Sequence, residues 1–76
     1  MKSDIIEKYV LDMYNCNVWD LLDVSRSSWA SFKQKNHIPK KYNNLLSKKL
    51  KIDDYDILTD KELCLILLDK YNWKNI

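Results

Sequence analysis

The side chains of this sequence best suited to chemistry lie between Val24 and Tyr42, in VSRSSWASFKQKNHIPKKY. Arg26, four lysines and a group of small hydroxyl residues occur there without one carboxylate. Covalent catalysis is not what they suit. His37 is the one histidine of the chain, and neither a paired nucleophile nor a second histidine stands with it. Cys16 and Cys64 form no CxxC pair and lack the companions that a zinc site or a disulfide framework needs. The pairs Asp53 with Asp54 and Asp60 with Glu62 lack the spacing of an oxygen-ligand loop and read as turn and cap residues. The expectation is a protein that is not an enzyme and holds no metal or cofactor. Guanidinium, ammonium, amide and hydroxyl donors gathered on one stretch instead suit the recognition of a polyanion.

The charge distribution points the same way. The net charge is only +2, yet residues 1–24 carry two lysines against five acids, and residues 52–76 carry three lysines against six acids. Residues 25–51 hold eight Lys/Arg and no acid, a local charge of +8. A charge run is ordinarily a solvated face. Here it coincides with a helical pattern between two acidic segments, which favours a binding surface for a polyanion.

Such groups need a frame. Seventy-six residues, 46% of them apolar, make one small domain spanning residues 1–76 with a single modest core. The longest apolar run, LCLILL, is too short to cross a bilayer, so a cytoplasmic protein without a membrane partner is expected. Periodicity predicts five short helices. The first, SDIIEKYVLDMYN, takes Ser3 as its cap and aligns Ile5, Ile6, Tyr9, Val10 and Met13 on one stripe. Asn17 caps a second, VWDLLD, in which Val18 and Leu22 share a face. After a turn at Asp23 and Val24, Ser25 caps a third, RSSWASFKQKN, with Trp29 and Phe32 inward and a polar remainder. Pro39 disfavours helix at Ile38 and suits the opening of a fourth, KKYNNLLSKKL, which buries Tyr42, Leu45, Leu46 and Leu50. The Asp-rich IDDYD makes a turn, and Thr59 with Glu62 forms a capping box that starts a fifth helix over about 59–73. Leu63, Cys64, Leu65, Ile66, Leu67 and Leu68 run round most of that helix, more than one core-facing stripe requires. With no glycine in the chain, reversals fall to Asn and Asp. The fold class expected is all-α, a compact domain of five short helices.

The segment NVWDLLDVSRSSWASFKQKNHIPKKY resembles the helix-turn-helix of the phage repressor and Cro-like family, in its CI repressor branch. The resemblance rests on Val24 after the turn, the VSRSSW opening of the third helix, the pair Trp29 and Phe32, and Ile38-Pro39 heading the next helix. It covers about residues 3–52 and implies a lambda repressor-like arrangement, with the fifth helix outside it. Two positions depart from the family pattern. Asp23 stands where members usually carry glycine, which Asp tolerates in a left-handed turn. Trp19 stands where a small residue is usual, so either the two helices sit further apart or the second is rotated.

What the resemblance implies is sequence-specific binding of double-stranded DNA through the major groove, as a transcriptional repressor of phage or mobile-element character. Arg26, Ser27, Ala30, Ser31 and Gln34 are then the base-contacting candidates, with Arg26 able to pair with guanine, Gln34 with adenine and Ala30 with a thymine methyl. The competing partners for Arg26 are Asp20 and Asp23. Asn17, Lys33, Lys35, Asn36, Lys40 and Lys41 are the phosphate-contacting candidates, the last two at a helix start whose amides favour anions. His37 belongs to the loop beside them, and Lys48, Lys49 and Lys51 to the solvated surroundings. One recognition helix reads few bases, so a homodimer is expected, with Leu65, Leu68 and Trp73 as contacts. A different class of function is an alternative: a protein-binding module, such as a phage-encoded inhibitor, that sets the basic face against a host protein.

Overall fold

The computed structural model describes residues 1–74. Their order is α1 (Lys2–Tyr14), α2 (Val18–Leu21), α3 (Arg26–Gln34), α4 (Lys40–Leu50), a 3-10 turn (Tyr55–Ile57) and α5 (Asp60–Asp69), with no strand among the described residues. The protein is an all-α domain with five helices. Its radius of gyration of 11.5 Å equals that of a packed chain of this length, about 11.4 Å.

One core joins all five helices: Ile6, Tyr9 and Val10 from α1, Val18 and Leu22 around α2, Trp29 from α3, Leu46 and Leu50 from α4, and Leu63 and Leu67 from α5. α2 has a single turn of four residues, too short to persist alone, and the burial of Val18 and Leu22 on either side of it holds it in place. Met13, expected on the inner stripe of α1, lies outside at 48% exposure. Tyr9 and Val10 are the last residues of α1 in the core, beyond which the apolar stripe drifts outward. Ser3 is likewise no cap: it sits buried inside the first turn of α1, whose N-cap position is Met1. The Lys2 ammonium ties that turn to the Tyr55 and Asp56 carbonyls at 2.6 and 3.1 Å and lies 4.8 Å from the Tyr55 ring centre. Desolvation there lowers the Lys2 pKa.

Six of the described residues, none of them glycine, take the left-handed conformation: Asn15, Asp23, Asn36, Lys51, Asp54 and Asn72. Five are the Asn and Asp that a glycine-free chain needs for its reversals. Two of them close the ends of the helices that matter most here. The Val24 N–H donates to the Trp19 carbonyl (2.9 Å) and the Asp23 N–H to that of Asp20 (3.2 Å), a Schellman turn between α2 and α3. The same pair of bonds recurs after α3, from His37 to Phe32 and from Asn36 to Lys33, both 3.0 Å.

The Asp-rich segment does more than turn. Ile52 and Tyr55 enter the core, and the Tyr55 N–H donates to Ser47 Oγ of α4 at 3.2 Å. α5 opens on the expected capping box, with Glu62 N–H to Thr59 Oγ1 at 3.1 Å and Thr59 N–H to Glu62 Oε1 at 2.9 Å. It ends at Asp69, earlier than its apolar pattern suggests. Asn72 at φ 56° reverses the chain, and Trp73 folds back into the core at 2% exposure. The Trp73 indole N–H donates to Asp12 Oδ2 (2.6 Å), and its ring meets Tyr9 edge-on at 5.3 Å. Trp73, expected at a dimer contact, is thus an internal residue of its own chain. The hydrogen-bonding need of a buried indole is met by α1 and not by a partner.

Candidate nucleic-acid interface

α3 begins cleanly because Ser25 supplies its cap: Ser25 Oγ accepts the Ser28 N–H at 3.0 Å and bonds the Ser28 hydroxyl at 2.8 Å. At about 100° per residue, Arg26, Ser27, Ala30, Ser31 and Gln34 fall within one arc of about 140°. Arg26, Ser27, Ala30 and Gln34 are exposed and Ser31 is half-buried. The five expected base-contacting residues therefore share one face. Opposite them, Trp29 is 1% exposed, and its indole N–H donates to Glu7 Oε1 of α1 at 2.6 Å.

Lys33 departs from its expected place at a phosphate. It follows Trp29 by four residues and so shares the edge of α3 that turns toward α1. There its ammonium lies 2.9 Å from Glu7 Oε1 and 3.3 Å from Asp4 Oδ1. The hydrogen bond to Glu7, opposed by some desolvation and aided by Asp4, raises the Lys33 pKa. Its charge is already matched, and its role here is to hold α3 against α1. The signal was present in the sequence, since Asp4 and Glu7 are three apart on the polar side of α1, but the pairing across helices was not.

The remaining cations differ. Among the described residues, no carboxylate lies within ion-pair distance of Arg26, Lys35, Lys40, Lys41, Lys48, Lys49 or Lys51. Lys35 and Asn36 follow α3, and Lys40 and Lys41 open α4, all four of them exposed. Phe32 and Tyr42, with ring centres 5.5 Å apart, join the end of α3 to the start of α4, and the Lys41 ammonium lies 4.9 Å from the Tyr42 ring centre. This packing gathers the cations at one end of α3. The first helical bond of α4 is the one from Tyr42 N–H to the Pro39 carbonyl (2.9 Å), so the amides of Lys40 and Lys41 precede it and have no helical acceptor.

The other end of α3 is mixed. Asp20 and Asp23 are exposed beside it, and Asn17 turns its amide onto Asp20 Oδ2 at 3.3 Å, half-buried at the start of α2. Arg26 pairs with neither acid. Its guanidinium carbon lies 5.8 Å from the centre of the Trp19 ring, and Trp19 is half-buried at the edge of the core. The residue that departs from the resemblance thus points toward the start of α3.

Beyond α3, a cleft of about 400 Å³ opens between the start of α1, the loop at Asn36 to Ile38 and the 3-10 turn. Asp56 and Asp60 line it together with Lys2 and act on its ammonium through charge, so the cleft does not extend the cationic face. No helix among the described residues is long and apolar enough to cross a membrane. No protein-family model, curated protein or solved structure matches this chain.

Proposed function

We propose that the protein binds double-stranded DNA in a sequence-specific manner, as a transcriptional repressor or similar regulator of phage or mobile-element character. α2 and α3 act as a helix-turn-helix, with α3 entering the major groove. The observation that carries this reading is the outer arc of α3. Arg26, Ser27, Ala30, Ser31 and Gln34 offer hydrogen-bonding and methyl groups of the sizes that base edges accept. The unmatched cations Lys35, Lys40 and Lys41 adjoin them, placed to meet phosphates. The mixed charge at the start of α3 supports a polarity in which the phosphate grip is strongest toward α4. A homodimer would supply a second α3 for the second half-site, and Leu65 and Leu68, exposed at 49% and 40%, are the contacts proposed for it.

The test is selection of bound duplexes from a random library at about 0.15 M salt, a physiological ionic strength. Enrichment of a palindrome with half-sites about one helical turn apart is the expected result. If no sequence is enriched, operator binding is rejected, and the basic face becomes a candidate surface for an acidic protein partner.

A further inference from the structure

We propose that Trp19 is a positioning residue for Arg26 and so a determinant of which base pair the protein reads; the inference rests on the DNA-binding reading above. Three observations meet at this pair. The Arg26 guanidinium carbon stands 5.8 Å from the Trp19 ring centre, within the range of a cation–π contact. Neither nearby carboxylate takes the guanidinium: Asp20 accepts the Asn17 amide, and Asp23 makes no ion pair among the described residues. The two residues are also fixed to one another through the backbone. The Trp19 carbonyl accepts the Val24 N–H at 2.9 Å across the Schellman turn, and Arg26 follows Val24 by two residues.

A long exposed arginine ordinarily samples many rotamers, and ordering it on a base edge costs entropy. A flat indole beside the guanidinium narrows that ensemble. It leaves the edge donors of the guanidinium free, because a cation–π contact engages the face and not the N–H groups. A carboxylate partner would do the reverse and consume those donors. Trp19 therefore holds Arg26 ready for a bidentate contact with guanine, while touching neither base nor phosphate itself.

The experiment measures affinity for two duplexes that differ only at the guanine pair read by Arg26, using the site recovered from the selection. Four chains are compared: the unsubstituted protein, Trp19→Leu, Arg26→Ala and the double variant. Trp19→Leu is expected to lower the guanine preference about two- to fivefold, the range of an exposed cation–π contact. Added to Arg26→Ala it is expected to change that preference no further. Trp19→Phe, which keeps an aromatic face, should restore most of the loss. In the free protein, the Arg26 Nε–H resonance should show a ring-current shift that Trp19→Leu removes, which reports the contact without DNA. An unaltered preference in Trp19→Leu, or an equal loss with and without Arg26, overturns the inference, because Trp19 would then act through the fold alone. A site preference that survives Arg26→Ala also overturns it while leaving DNA recognition standing. Absence of any preference in the unsubstituted protein removes both.

Discussion

Among the described residues, α3 and α5 each leave a face that no other element covers, and the two faces are opposite in kind. Their inner sides are alike: Trp29 on α3 and Leu63 and Leu67 on α5 are fully buried. Their outer sides are not. α3 exposes Arg26, Ser27, Ala30 and Gln34, whereas α5 exposes Leu65 and Leu68 in line with Lys61. Folding therefore explains the inner residues of both helices and the outer residues of neither. Water tolerates the outer face of α3 well, since its exposed side chains are mostly polar or cationic. The leucines of α5 lose by that exposure and would gain from an apolar partner.

The largest effect is expected at Trp29, which holds α3 to the core. Trp29→Ala is expected to lower the unfolding free energy by about 3–5 kcal/mol. Set against about 4–11 kcal/mol for a whole chain of this length, such a loss leaves little folded protein. Urea denaturation measures it, and a loss below about 1 kcal/mol would mean that α3 has another anchor. Glu7→Ala attacks the same attachment from α1. It deprives the Trp29 indole and the Lys33 ammonium of their shared acceptor, at a cost of about 1–3 kcal/mol. Glu7→Gln should cost less, because its amide oxygen still accepts from the indole.

Alkali probes the attachment of the C-terminal segment, where Tyr71 and Trp73 pack on Tyr9. Burial, with Tyr14 and Tyr71 nearby, pushes the Tyr9 phenol up to about 12 from its usual 10.0. The unfolded chain then loses its proton first, so this stability is intact below pH 10 and is lost as the pH climbs toward 12. The loss expected over that range is on the order of 1–2 kcal/mol. Tyr55 and Lys33, whose pKa values are also raised, act in the same direction. Thermal melts of Tyr9→Phe should fall less steeply above pH 10.

The smallest effect on stability is expected on the outer face of α5. Replacing Leu65 and Leu68 together by Glu should leave the unfolding free energy of the monomer within about 0.5 kcal/mol. Sedimentation equilibrium on the same variant should show a shift to monomer if α5 meets a second copy. A marked destabilisation of the monomer would instead make those leucines part of the core.

Much of this was legible in the residues themselves. The existence and order of the helices, the Ser25 cap, the Thr59–Glu62 capping box and the boundary at Pro39 follow from interactions within four residues, which a sequence displays directly. So did the polar arc of α3, because helical spacing alone decides which side chains share a face. Asp23 in a left-handed turn followed from the lack of glycine. Relations between distant segments were not legible. Lys33 reads as one more free cation until α1 brings Glu7 to it, and Trp73 reads as a continuation of α5 until Asn72 turns the chain onto Asp12. Ile52 and Tyr55 look like parts of a polar turn until α4 receives them. The helices and the chemistry of their faces can be read from the residues alone, since both depend on local backbone preference and spacing. Which cations stay unmatched, and that Trp19 lies beside Arg26, emerge from packing, because burial and charge pairing depend on which helices come to lie together.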